Sequence, residues 1–120
     1  MDIFSWLFVG HLLGDWVLQN DWMAVGKKKG LITLPGMTHF AIYTLTVMTF
    51  LWLSGYRPQN LLLYIGLAAL IFVSHWLIDA TGVVESWIRF YRQSDLTMMR
   101  VAVDQTFHLI ILLLAATLAG

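Results

Sequence analysis

Apolar positions dominate four long stretches of this chain, at about residues 3–23, 37–53, 59–80 and 96–119, and short polar turns separate them. Each stretch is close to the ~20 residues that a helix needs to cross a hydrocarbon layer. The first gives way to Gly26, Lys27, Lys28, Lys29 and Gly30, a turn rich in helix breakers. Pro35 and Gly36 open the second, and Ser54, Gly55, Tyr56, Arg57 and Pro58 close it. Asp95 is the expected N-cap of the fourth. Between the third and fourth stretches, Val83, Val84, Trp87, Phe90 and Tyr91 fall on one side of a helical wheel, with Glu85, Arg89, Arg92 and Gln93 opposite. That pattern predicts a short interfacial helix; the competing reading is a loop that carries aromatics. The expected fold is all-α: an integral membrane four-helix bundle forming a single transmembrane domain over residues 1–120, with no internal repeat or domain boundary.

Composition agrees with that pattern. Of 120 residues, 59% are hydrophobic and 12% charged, too apolar a balance for a soluble domain of this size. The formal net charge is zero, which gives no argument for a nucleic-acid partner. There is no cysteine, so any metal would be held by nitrogen and oxygen. The first apolar run carries polar residues and lacks the basic leader and cleavage site of a signal peptide, so it reads as structure.

Lysine and arginine set an expected orientation, because they accumulate in cytoplasmic loops. Lys27, Lys28, Lys29, Arg89, Arg92 and Arg100 lie on the side of the first and third loops, and only Arg57 lies on the other. Both termini are therefore expected outside the cytoplasm. Trp6 and Trp52 fall near one expected boundary and Trp22 and Trp87 near the other, as in aromatic belts.

Candidate chemistry resides in the polar residues within the spans, because ionisable groups in hydrocarbon cost several kcal/mol unless paired or functional. His11 and Asp15, His75 and Asp79, and Asp104 and His108 are each four residues apart, on one helical face and within reach of each other. His39 adds a fourth histidine from the remaining span. Alternating helix direction brings all seven groups into the half of the bilayer beside the lysine-rich loop. At about 1.5 Å rise per residue, His11 and His108 would lie deepest, roughly 15 Å below the loop-side boundary. His39, His75 and Asp79 would lie nearer that boundary, with Asp15 and Asp104 between. Gln19 continues the face of Asp15, and Gly10 and Gly14 are spaced to let another helix approach His11 closely.

This convergence suits zinc, iron or manganese. The expected ligands are His11, His39, His75, Asp79 and His108. Asp15 and Asp104 are the candidate catalytic groups, and Gln19 and Gln105 the candidates to bind substrate or support the ligands. The aspartates could equally ligate directly or orient a histidine through its second ring N–H, and spacing does not separate these roles.

The string from His11 to Ala24, then His39, then His75-Trp76-Leu77-Ile78-Asp79, then Asp104-Gln105-Thr106-Phe107-His108, resembles the bacterial membrane family called domain of unknown function 3307. The resemblance covers nearly the whole chain. It implies a small multi-span bacterial or phage membrane protein, hence a multi-pass protein of the bacterial inner membrane, and it implies no particular activity.

The leading expectation is a cytoplasm-facing intramembrane metal centre of hydrolytic type, acting on a membrane-embedded or amphiphilic substrate. Other classes stay open: a proton or ion relay, which an apolar far half argues against; a non-catalytic membrane partner; or a haem carrier with His11 and His108 as axial ligands. In each of these the His/Asp residues would otherwise form a structural polar network. Besides the lipid bilayer, further copies of the chain are expected partners, since small multi-span proteins often associate.

Overall fold

A computed structural model of the chain describes residues 2–93 and 96–120. Among these residues the protein is wholly helical, with six α-helices, one π-helical turn and no strand. The order is α1 (Ile3–Leu12), the π turn (Leu13–Val17), α2 (Asp21–Gly26), α3 (Leu34–Leu53), α4 (Leu61–Ala80), α5 (Val83–Phe90) and α6 (Thr97–Ala119). Asp95, the expected cap of the last helix, lies outside the described residues.

Local side-chain chemistry sets most of these starts. Asp2 accepts from the Ser5 amide, Asn20 from Met23, Thr33 from Gly36 and Asn60 from Leu63, so each caps the helix that follows it. Pro35 stands in the first turn of α3, where its missing N–H costs nothing.

Helices α3, α4 and α6 are long and apolar enough to cross a membrane, and the first apolar segment, Ile3–Val17, is shorter. The stretch expected as one span over residues 3–23 therefore divides. Its ten α-helical and five π-helical residues rise roughly 20 Å, short of the ~30 Å hydrocarbon core. The helix then stops and Asn20 starts α2. The cause is local: the Asn20 side chain offers the backbone a cap in place of a continued ladder. Trp22, Met23 and Val25 keep the sequence apolar through the break and hide it from hydropathy.

Packing runs from α1 to α3, α3 to α4, α4 to α6 and α6 back to α1. α1 and the π turn lie close against α3. A Cβ added to Gly10 would stand 3.0 Å from Phe50 Cβ, and one on Gly14 3.2 Å from Tyr43 Cα. Leu7, Val47, Leu51, Leu67, Ile71, Leu112 and Ala115 fill one half of the molecule with apolar contact. In the other half α5 lays Val84 and Ile88 against Ile78 and Val103, while Trp87, Phe90 and Tyr91 of the same region are exposed. The side of α5 expected to be uniformly apolar thus splits into an inward aliphatic edge and an outward aromatic one. Helix α6 does not follow the first segment throughout. It packs on α1, but among the described residues no Cα of the π turn or α2 comes within 8 Å of it, so the two segments splay apart at that end.

Candidate metal centre

Polar side chains from α1, the π turn, α3, α4 and α6 meet just beyond the apolar half. His11, Asp15, His39, His75, Asp79 and His108 are all buried. The four imidazoles form a chain, with ring centroids 5.4 Å apart for His11 and His108, 4.7 Å for His108 and His75, and 4.7 Å for His75 and His39. Convergence of the four histidines on one end follows from antiparallel threading, as the sequence predicts.

The tightest group contains two imidazoles and two carboxylates. His39 Nε2 lies 3.1 Å from His75 Nε2, 3.2 Å from Asp15 Oδ1 and 3.6 Å from Asp79 Oδ2. His75 Nε2 lies 3.4 Å from Asp15 Oδ1 and 2.8 Å from Asp79 Oδ2. A tetrahedral site with metal–ligand bonds of about 2.0–2.1 Å has donor–donor edges of about 3.3–3.4 Å. Five of the six edges of such a tetrahedron are thus present, scattered about that length. His108 enters an overlapping set without His39: single donor atoms of Asp15, His75, Asp79 and His108 all lie within 4.8 Å of one another.

The hydrogen on one nitrogen of His108 can be read from its partner. Its Nδ1 lies 2.7 Å from the Asp104 backbone carbonyl, which can only accept, so Nδ1 carries the hydrogen. In the neutral imidazole Nε2 then presents a lone pair. That atom is buried, meets no hydrogen-bond partner, and lies 3.5 Å from Asp79 Oδ1, itself an acceptor. A cation between them resolves two facing acceptors. A backbone carbonyl on the remote nitrogen is also the usual brace of a ligating histidine.

His11 occupies a different position from the one its grouping with the ligands anticipates. Tyr43 Oη lies 2.8 Å from Nδ1 and Gln105 Oε1 2.7 Å from Nε2. The Gln105 amide is oriented by two carboxylates, its Nε2 donating to Asp15 Oδ2 at 3.2 Å and Asp104 Oδ2 at 3.0 Å. Its oxygen must therefore accept, so His11 Nε2 donates and Tyr43 O–H donates to Nδ1. Both ring nitrogens of His11 are engaged by protein. The difference arises from rotation about the helix axis, which a spacing of four leaves open.

Of the three pairs spaced by four, only His75 and Asp79 bond directly, at 2.8 Å. Gln105 bridges His11 and Asp15, and the Asp104 carboxylate stands 3.5 Å from His108 Nδ1 while its backbone carbonyl accepts the hydrogen bond. Asp15, expected among catalytic groups, is drawn in with His39 and His75 because the π turn carries it there; the wide turn closes with Leu18 N–H donating to Leu13 O at 2.9 Å. Asp104 lines a cavity of about 380 Å³ beside the group, as do Gln19 and Gln105. Gln19 Oε1 is buried there without a hydrogen-bond partner.

Two contributors escape sequence reasoning. Lys27 is buried and donates to Asp79 Oδ2 at 2.8 Å, an ion pair inside the centre. Read along the sequence it is one of three loop lysines, and nothing in the spacing marks it. Gly36 admits it: a Cβ there would lie 3.2 Å from Lys27 Cα. Tyr43 was detectable, because it stands four residues after His39 on the same face of α3.

The sequence profile of a family described as "Protein of unknown function (DUF3307)" matches residues 3–120. Comparison with curated proteins and with solved structures gives no match.

Proposed function

Since the chain belongs to the DUF3307 family, which carries no established activity, we propose from the site itself that this protein is a membrane metalloprotein whose His/Asp centre performs hydrolysis. The observation that carries the reading is His108 Nε2, a buried ring nitrogen 3.5 Å from the Asp79 carboxylate that meets no hydrogen-bond partner. Asp15, His39, His75, Asp79 and His108 are the proposed ligands of one divalent zinc, iron or manganese ion, and Lys27 tempers the surplus negative charge. Such an ion supplies Lewis acidity, bringing the pKa of water toward ~7 and screening charge that develops on a reacting oxygen. Asp104, at the cavity wall and outside the donor group, takes the proton from that water. Gln105 holds the Asp15 and Asp104 carboxylates, and His11 holds Gln105.

We further read the first segment with α3, α4 and α6 as a four-span bundle in the bacterial inner membrane. The lysine-rich loop and α5 then lie at the cytoplasmic face, and both termini lie opposite. The apolar half filled by Leu7, Val47, Leu51 and Leu67 supports a one-sided site rather than a relay. Engagement of both His11 nitrogens counts against bis-histidine haem ligation with His108.

One observation favours a purely structural polar network. His39 and His75 leave Nδ1 buried without a partner, whereas a ligating imidazole usually donates from its second nitrogen. Elemental analysis by mass spectrometry of protein purified without chelator decides between the two: about one transition metal per chain is expected, and a metal-free protein establishes the network.

A further inference from the structure

We infer that the substrate of this centre is a membrane amphiphile bearing a phosphate headgroup, which enters sideways through the cleft between the π turn and α6; the inference rests on the metal reading above. The cleft exists because α6 leaves the first segment at the level of the π turn, where only side chains bridge the gap. Gln105 is that bridge, through Asp15, His11 and the Trp16 indole, whose N–H donates to Gln105 Oε1 at 3.3 Å. Behind it lies the cavity of about 380 Å³. Its mouth is flanked by Trp16, 56% exposed, and Val101, 40% exposed, apolar groups facing where lipid chains would run. The cavity has room for a headgroup, while the chains of an amphiphile stay outside against those two residues.

The lining selects the headgroup. Asp15, Asp79, Asp104 and Glu85 face Lys27, Lys28 and Arg100, so four formal negative charges meet three positive ones. Lys27 is bonded to Asp79, and Arg100 lies 3.5 Å from Glu85. Without a metal the lining repels an anion; one divalent ion reverses the balance and makes it receptive. A phosphate monoester carries close to two negative charges on three free oxygens, against one charge on two oxygens for a carboxylate, so it gains more from facing the ion and the Lys28 ammonium together. The buried, unpartnered Gln19 Oε1 lines the same cavity and can accept from the hydroxyl that hydrolysis frees on the alcohol.

Hydrolysis there joins the oxygen of a water to phosphorus and breaks the bond from phosphorus to the alcohol oxygen. The water proton passes to Asp104 and then to the departing alcohol oxygen, so phosphate and free alcohol form with no redox partner.

A second cavity adjoins the first and shares Lys28, Asp79 and Glu85 with it, opening between the end of α4 and α5 along Gly82, Ser86 and Arg89. It gives water its own approach to Asp79 from the loop side. Lipid and water thus arrive by different doors.

The test is native mass spectrometry of the metal-loaded protein with four probes: phosphatidic acid, diacylglycerol, glycerol 3-phosphate and inorganic phosphate. Phosphatidic acid should bind at least about tenfold more tightly than each of the others, and chelation should abolish the difference. Lys28→Gln should weaken phosphatidic acid binding by roughly tenfold, the worth of one charged hydrogen bond, with metal content unchanged. Equal binding of diacylglycerol overturns the phosphate assignment. Equal binding of glycerol 3-phosphate or inorganic phosphate overturns the lateral, membrane-borne source. A wild type that carries metal yet shows no preference overturns this inference alone, whereas a wild type without metal overturns the metalloprotein reading and this inference together.

Discussion

His11 Nε2 donates to Gln105 Oε1 across 2.7 Å, joining the first helix to the last over 94 residues of chain. Through that amide, His11 acts on Asp15 and Asp104 while its own ring nitrogens are engaged by Tyr43 and Gln105. His108 stands beside it, ring centroids 5.4 Å apart, with the opposite assignment. Under the proposed metal reading, two histidines at one depth thus divide into a brace and a ligand.

That division predicts opposite outcomes for one substitution. His108→Gln should lower metal affinity by more than about tenfold, since loss of a partner one bond further from a metal already costs about 10–100-fold. His11→Gln should keep its metal. Metal titrations of the two purified variants check this, and equal losses in both would remove the distinction.

The two carboxylates of α4 and α6 should separate in the same way. Asp79→Asn removes an oxygen that both Lys27 and His75 approach within 2.8 Å, and metal should be lost. Asp104→Asn should retain metal and lower turnover by about 10²–10⁴-fold, the usual contribution of a proton acceptor. Metal content and hydrolytic rate, measured on one preparation of each, distinguish them; metal loss from Asp104→Asn alone contradicts the assignment.

Lys27 and the metal should compensate for each other. Breaking a buried pair costs about 3–5 kcal/mol because it strands a charge, and a cation at Asp79 relieves that strand. Lys27→Met should therefore destabilise chelated protein far more than metal-loaded protein. Thermal unfolding in detergent, with and without chelator, measures the difference, and identical shifts in both states would refute the coupling.

Tyr43→Phe deletes the donor to His11 Nδ1 and leaves a buried acceptor unmet, at a cost of about 1–3 kcal/mol. The expected signature is a lower unfolding temperature with metal content intact. Lost metal at unchanged stability would instead place Tyr43 among the groups that hold the ion.

Orientation has a direct test, because the natural chain lacks cysteine. A cysteine replacing Lys29, which is exposed, should react with an impermeant reagent only after the cells are opened. Labelling in intact cells would invert the topology.

The features legible in the sequence are those with a period. Apolar length reveals α3, α4 and α6, and the spacing of four between histidine and aspartate reveals which residues share an end. What stays hidden depends on rotation and on backbone register. The π turn shifts register at Leu13–Val17 and carries Asp15 in with the histidines, yet no residue type announces it. Lys27 turns inward because Gly36 leaves room beside α3, a fact of two segments rather than of one. The division of the first span at Asn20 is a competition between cap and ladder, and neighbouring apolar residues obscure it.

The apolar half of the molecule has a consequence for the membrane that would contain it. Leu7, Val47, Leu51, Leu67, Ile71 and Leu112 close the polar well from below, all nearly inaccessible to solvent. On the one-sided reading proposed above, a proton or ion that enters from the loop side meets a layer filled mainly by aliphatic side chains and leaves as it came. On that reading many copies could sit in a membrane that stores an electrochemical gradient without discharging it, and the proposed chemistry would draw no energy from that gradient.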